Sequence, residues 1–148
     1  MIQWQWKRFS DLSAPQLYAV CAVREAVFVV EQSCPYQELD GLDFDAMHLI
    51  GWSGSEIAAY LRVLEPGVRY AEPSIGRVLT SKAFRGTGVG HMLVAMSLEY
   101  IDRQHPGRDV RISAQAHLER FYGRFGFEAV SERYLEDDIP HVEMLRRS

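Results

Sequence analysis

The apolar stretch Ile75 to Thr80 runs into Arg85-Gly86-Thr87-Gly88-Val89-Gly90. Beyond it Val89, Met92, Leu93, Met96, Tyr100 and Ile101 recur every three or four residues. A strand that passes through alternating glycines directly into an amphipathic helix constrains the fold more than any other part of the chain. Backbone without side chains can approach an anion closely, and the first turn of a helix carries N–H groups with no intrahelical acceptor. The helix dipole, with Arg85 and Lys82 nearby, favours a phosphate or pyrophosphate there without any metal ion. Gly86-x-Gly88-x-Gly90 lacks the G-x-G-x-x-G spacing of a dinucleotide fold, and no G-K-[ST] follows as in a P-loop. Taken alone, the glycines fit either an anion site or a tight turn with close helix–sheet packing.

The remaining elements alternate in type. Ile2, Trp4 and Trp6 alternate with polar residues, as in a half-buried strand. Ser13 is placed to cap a helix with Pro15 in its first turn, and the periodicity Leu17, Val20, Cys21, Arg24, Val27, Phe28 carries that helix to about Val30. From Glu31 to Asp45 the pattern breaks into a loop with turn signals at Cys34-Pro35 and Asp40-Gly41 and acids at Glu31, Glu38, Asp40, Asp43 and Asp45. A short acidic cluster of this kind usually marks a solvated loop. Two apolar runs, His48 to Trp52 and Ile57 to Leu64, flank Ser53-Gly54-Ser55 and read as an antiparallel hairpin. After the glycine segment and its helix, which stops at His105-Pro106-Gly107, come a strand at Val110 and Ile112 and a short helix from Leu118 to Arg124. A strand from Phe127 to Tyr134 and a last one from His141 to Leu145 complete the series. The fold class is therefore α+β: a central mixed, mostly antiparallel sheet flanked by helices.

Length and charge narrow the function. At 148 residues the chain suits one domain spanning 1–148, with enough apolar residues for a core. No apolar run approaches a membrane span and the N-terminus lacks a leader pattern, so a cytoplasmic protein without a membrane partner is expected. The net charge of -4 and scattered Lys and Arg argue against nucleic acid as the main partner. Cys21 and Cys34 have no metal-ligand spacing, and the five histidines form no metal motif, so no metal is expected.

A second motif decides what the glycine segment holds. Arg85-x-x-Gly88-x-Gly90 after a strand, followed later by Ala116 and Tyr122 ahead of Gly126-Phe127, resembles the paired acetyl-CoA signatures of the GNAT superfamily of N-acetyltransferases. Val27-Phe28-Val29-Val30-Glu31-Gln32, Cys34-Pro35-Tyr36-Gln37, Asp40-Gly41, Gln115-Ala116-His117-Leu118 and Ile139-Pro140-His141 resemble its ElaA-type branch, so the likeness covers nearly the whole chain. The resemblance implies a splayed strand pair that holds acetyl-CoA as acyl donor. The pyrophosphate would lie on Arg85, Gly86, Thr87, Gly88, Val89 and Gly90, and the pantetheine arm along Val78, Leu79 and Thr80, mainly through backbone. It also implies that Tyr122 protonates the departing thiolate, a role suited to a phenol with an ordinary pKa of about 10.

An acetyl group would then pass to a primary amine on a small molecule or peptide by direct attack on the thioester, with no acyl-enzyme. The same fold could instead serve a non-catalytic acyl-CoA-binding or sensor domain. An alkylammonium must lose a proton before attack. Glu31, Asp40, His48 and His141 are the candidates for the acceptor site, the acidic ones also as attractors of a cation. For His48, a satisfied structural histidine is an equal reading, and Arg24 reads as structural. Cys34 as a thiol nucleophile is a rival without an identifiable activating partner. A homodimer covering a sheet edge is a further expectation of the resemblance.

Overall fold

The computed structural model describes all residues from Met1 to Ser148. Strand β1 (Gln3–Arg8) pairs antiparallel with β2 (Met47–Ser53), β2 with β3 (Glu56–Leu64), and β3 with β4 (Ser74–Thr80). A second antiparallel group is formed by β5 (Val110–Gln115), β6 (Phe127–Ala129), β7 (Tyr134–Glu136) and β8 (Ile139–Arg146). There β8 is the common partner of the other three. Helix α1 (Ala14–Arg24) continues into a π-helical segment, Glu25–Glu31. Helix α2 (Val89–Gln104) links β4 to β5, and α3 (Glu119–Gly123) precedes β6. No helix is long and apolar enough to cross a membrane.

Alternation along β3 explains the layering, because eight of its nine residues are buried and successive side chains serve opposite faces. Ala59, Leu61 and Val63 join Leu49, Leu93, Val94, Leu98 and Ile101 in the larger core under α2. Tyr60 turns the other way, with Ile50, Ile57 and Leu79, to meet Val20 and Phe28 from the first helix. The N-terminal strand packs as its alternation requires: Trp4 and Trp6 lie against the larger core, and Trp6 stacks on Tyr100 of α2 at 4.4 Å between ring centroids. Ser13 caps α1 reciprocally with Gln16, and Pro15 sits in the first turn.

Two expectations need correction. The stretch Phe127 to Tyr134 is not one strand but two short ones separated by a bend, since both must reach the same partner, β8. The first helix ends within one residue of the expected Val30, at Glu31, its final stretch Glu25–Glu31 widened to π geometry. The acidic loop is not a solvated one: Glu38 and Asp43 are buried. Arg24 and Arg62, each 1% exposed, project from α1 and β3 into the space under that loop. Arg24 donates to Glu38 and Asp43 at 2.7 Å each, and Arg62 donates to Asp40 at 2.6 and 2.9 Å and to Asp43 at 3.0 Å. Arg77 of β4 completes the set, reaching Glu38 at 2.8 Å and Asp40 at 3.2 Å. Three guanidinium charges thus meet three carboxylates, and Tyr36 donates a short hydrogen bond to the remaining Glu38 oxygen.

Removing one member of such a buried set leaves a charge without its partner, which typically costs about 3–5 kcal/mol. Arg24→Leu is therefore expected to destabilise the protein by that amount in urea denaturation. Burial works against the charged forms of Asp40 and Asp43, but hydrogen bonds from Arg62 and Arg24 respectively hold both carboxyls below their ordinary values. The stabilisation they give is complete above the unfolded-state value of about 3.9 and is lost as pH falls from there through the depressed folded values. Urea midpoints measured below pH 4 should fall steeply, and less so in Asp43→Asn.

Candidate active site

The site lies where the two sheets meet. β4 ends one sheet and β5 the other, and no ladder joins them. At their starts the Arg111 N–H donates to the Pro73 carbonyl at 3.2 Å, and beyond that point the strands part. The divergence begins at a bulge: Tyr60 pairs with Leu79 and Arg62 with Gly76, so Leu61 alone opposes both Arg77 and Val78. Arg77 takes up the bend in a left-handed conformation, φ 51°, unusual for a side chain of this size. A cavity of about 430 Å³ opens between the strands, bounded by Ile75 to Thr80 on one side and Ile112 to Gln115 on the other. Each strand turns an edge that has no ladder partner towards it.

Arg85 borders the cavity and the glycine segment follows directly after it, Gly86 to Gly90 themselves not being among the residues that line it. Gly86 and Gly88 have φ of 76° and 85°, and Gly88 caps α2 in the left-handed region, so both positions require glycine on backbone grounds. Gly90 lies close against β4: a Cβ there would stand 3.4 Å from the Thr80 methyl group, in van der Waals contact. Backbone amides from Gly86 to His91 meet no acceptor in the protein, while Thr87 turns its hydroxyl back to the Phe84 carbonyl at 2.6 Å. Arg85, Val78, Leu79 and Thr80 all line the cavity.

Tyr122 lines the middle. It is 5% exposed, held edge-on between Phe121 and Phe127. Burial raises its pKa, and no hydrogen bond to the protein perturbs its hydroxyl. A buried, protonated phenol without a protein partner, aimed into a cavity, is a proton donor awaiting an acceptor.

The acceptor candidates divide. Glu31 and His141 line the cavity, whereas Asp40 and His48 do not. Glu31 sits beside the glycine loop, where its two oxygens accept from Arg85 at 2.9 and 2.7 Å and the Arg85 hydrogen bonds hold its pKa low. Its charge is already matched, so it does not serve as an attractor of cations, and neither does Asp40 inside the arginine network. His48, 1% exposed, accepts from the Tyr60 hydroxyl at 2.6 Å and donates to the Asp43 carbonyl at 3.0 Å. Burial lowers its pKa and its ring nitrogens are both used, so it is structural. Cys34 reaches the cavity wall, but its thiol donates to the Asp137 carbonyl at 3.1 Å and burial raises its pKa, the opposite of an activated nucleophile.

The sequence reading missed Glu136 and Asp137. Glu136 precedes and Asp137 begins a two-residue turn, Asp137-Asp138, with both φ positive (51° and 62°), which folds β7 onto β8 and brings both acids to the cavity wall. The alternation Tyr134, Glu136 and Ile139, His141 around two Asp residues was the available hairpin signal.

The family model for the acetyltransferase (GNAT) domain matches residues 15–147. The chain belongs to that family. Within it the relatives are of the ElaA type: Protein ElaA of Escherichia coli is 47% identical over 148 residues, covering 99% of this chain and 97% of its own. The crystal structure of Escherichia coli ElaA superposes with a TM-score of 0.93 over 99% of this chain and 100% of that one. An acyl-CoA N-acyltransferase from Pseudomonas aeruginosa, 49% identical, superposes with a TM-score of 0.94 over 99% of both chains.

The Glu31–Arg85 pair predicts how the glycine loop responds to an anionic ligand. Both partners are partly exposed, so their attraction is worth no more than about 1 kcal/mol. Glu31→Gln should free Arg85 for phosphate and tighten CoA binding by up to about fivefold in calorimetry, with a steeper salt dependence.

Proposed function

We propose that this protein transfers an acetyl group from acetyl-CoA to a primary amine of a small molecule or peptide by direct attack on the thioester. The observation that carries this reading is the convergence, at one cavity, of two open strand edges, the unpartnered hydroxyl of Tyr122 and Arg85, directly after which come the unbonded helix-terminal amides of Gly86 to His91. Pyrophosphate oxygens suit the amides, which present donors and the positive end of α2 together. A pantetheine arm carries amide groups that suit the free edge of β4 at Val78, Leu79 and Thr80, as an added strand would.

With the thioester held between β4 and β5, the neutral amine nitrogen attacks its carbonyl carbon, a C–N bond forms, the nitrogen gives its extra proton to water and the C–S bond breaks. The leaving sulfur takes the phenolic proton of Tyr122, and solvent restores it. Tyr122 suits this role because burial keeps it protonated across the neutral range, so the leaving group departs as a thiol rather than a thiolate.

Acetyl-CoA should bind with measurable heat in titration calorimetry, and CoA release should follow with at least one of spermidine, tyramine, lysine methyl ester or a lysine-containing peptide. Tyr122→Phe should lower kcat about a hundredfold while leaving the acetyl-CoA affinity unchanged. Binding without turnover of any amine would favour a sensor domain instead, and no binding would end both readings.

A further inference from the structure

The cavity wall formed by β8 and the β7–β8 turn holds an arrangement that the transfer step above does not use. His141 of β8 is 7% exposed and lines the cavity. Its ring is held on two sides: it stacks on Tyr134 at 6.2 Å and 25°, and Nδ1 lies 2.7 Å from the Ile139 carbonyl. A carbonyl can only accept, so Nδ1 carries the hydrogen and Nε2 of the neutral ring presents a lone pair. Nε2 lies 3.4 Å from Oε2 of Glu136, whose other oxygen accepts from Arg69 at 3.1 Å. Two acceptors therefore face each other across a short gap, and they are reconciled only by a donor: a proton on Nε2, or an N–H group supplied from the cavity.

Resting on the acetyltransferase reading, we propose that Glu136 and His141 together hold the ammonium of the acceptor and that His141 is the base that deprotonates it. An alkylammonium has the hydrogens to donate to both acceptors at once, and its charge answers that of Asp137, the neighbouring carboxylate on the cavity wall. The acceptor enters as R–NH3⁺ and passes one proton to Nε2, which frees the lone pair that forms the C–N bond. The second proton leaves the nitrogen for water as the C–S bond breaks, and the proton on Nε2 returns to solvent after product release. One proton is released per turnover once Tyr122 has been restored. The acceptor class is thus a primary alkylamine that is cationic at neutral pH.

The charged and titratable groups sharing this end of the cavity with His141 are Glu136 and Asp137 from the β7–β8 hairpin, Arg69 before β4, Tyr36 and Cys34 from the acidic loop, and Arg77. Arg77 is matched by Glu38 and Asp40, and Arg69 by Glu136, which leaves Asp137 as the carboxylate with no ion-pair partner beside the pair.

The test is the pH profile of kcat/KM for whichever of those amines the wild type acetylates. His141→Gln should lose about a hundredfold at pH 7. Its rate should then climb tenfold per pH unit towards the amine's own pKa, about 10.4. Its acetyl-CoA affinity and melting midpoint should match the wild type. Glu136→Gln, altered on a partly exposed side chain, should raise the KM for the amine more than it lowers kcat, because one of the two acceptors that hold the ammonium is weakened. Should His141→Gln fold poorly, an unchanged amine KM in Glu136→Gln would overturn the proposal. An active wild type matched by His141→Gln in rate and profile would overturn it alone. A wild type that binds acetyl-CoA but releases no CoA with any amine would overturn it together with the acetyltransferase reading.

Discussion

Three arginines from three different elements converge on three carboxylates of one loop, and the shape of the site follows from that ionic contact. Arg24 belongs to α1, Arg62 to β3 and Arg77 to β4, while Glu38, Asp40 and Asp43 come from the segment between the π-helical turn and β2. None of these charges could be buried singly, because desolvation would far exceed any packing gain. Matched three to three, they fasten an irregular loop to the sheet where an apolar contact would leave its backbone and acids unsatisfied. The consequence for function runs through Arg77. To reach Glu38 it leaves the regular strand conformation at φ 51°, and the bulge this creates turns β4 away from β5.

That departure is what makes a cavity out of a sheet. Had β4 continued straight, the contact between Arg111 and Pro73 would have extended into a ladder, and the edges of both strands would have been used up in hydrogen bonds to each other. Instead the edges stay open beside Tyr122, and α2 starts at the far end with its first amides unbonded. Strained backbone at Arg77 is tolerated because two carboxylates and the Glu38 carbonyl hold the guanidinium from outside the strand.

Much of this was legible in the sequence, for physical reasons that can be separated. The Trp4 and Trp6 alternation, the Ser13 cap, the α2 stripe and the turn at Gly54 are local signals, and each formed where its residues said it would. The glycines at 86 and 88 marked left-handed backbone, and Gly90 a close approach to Thr80, which local reading combined under one heading. What could not be read was long-range. An acid looks the same in a sequence whether it faces water or an arginine forty residues away, so Asp40 and Glu31 invited an acceptor role that Arg62, Arg77 and Arg85 had already taken up. His48 and His141 likewise differ only in what surrounds them.

The difference between those two histidines shows how tertiary context assigns chemistry. Both sit in strands and both bond a backbone carbonyl through one ring nitrogen. At His48 the other nitrogen is satisfied by a tyrosine hydroxyl in a closed space, which leaves the ring neutral and inert. At His141 the other nitrogen meets a carboxylate beside an open cavity, so its partner must come from a shared proton or from a ligand. The hairpin that supplies that carboxylate is built from two aspartates in left-handed backbone, a costly turn for residues with side chains. Its geometry is held by the Tyr134 hydroxyl on Ser113 and by the Cys34 thiol on the Asp137 carbonyl. Cys34 belongs to the segment that carries the acids of the arginine network, so the network that opens the cavity also braces the hairpin that lines its rim.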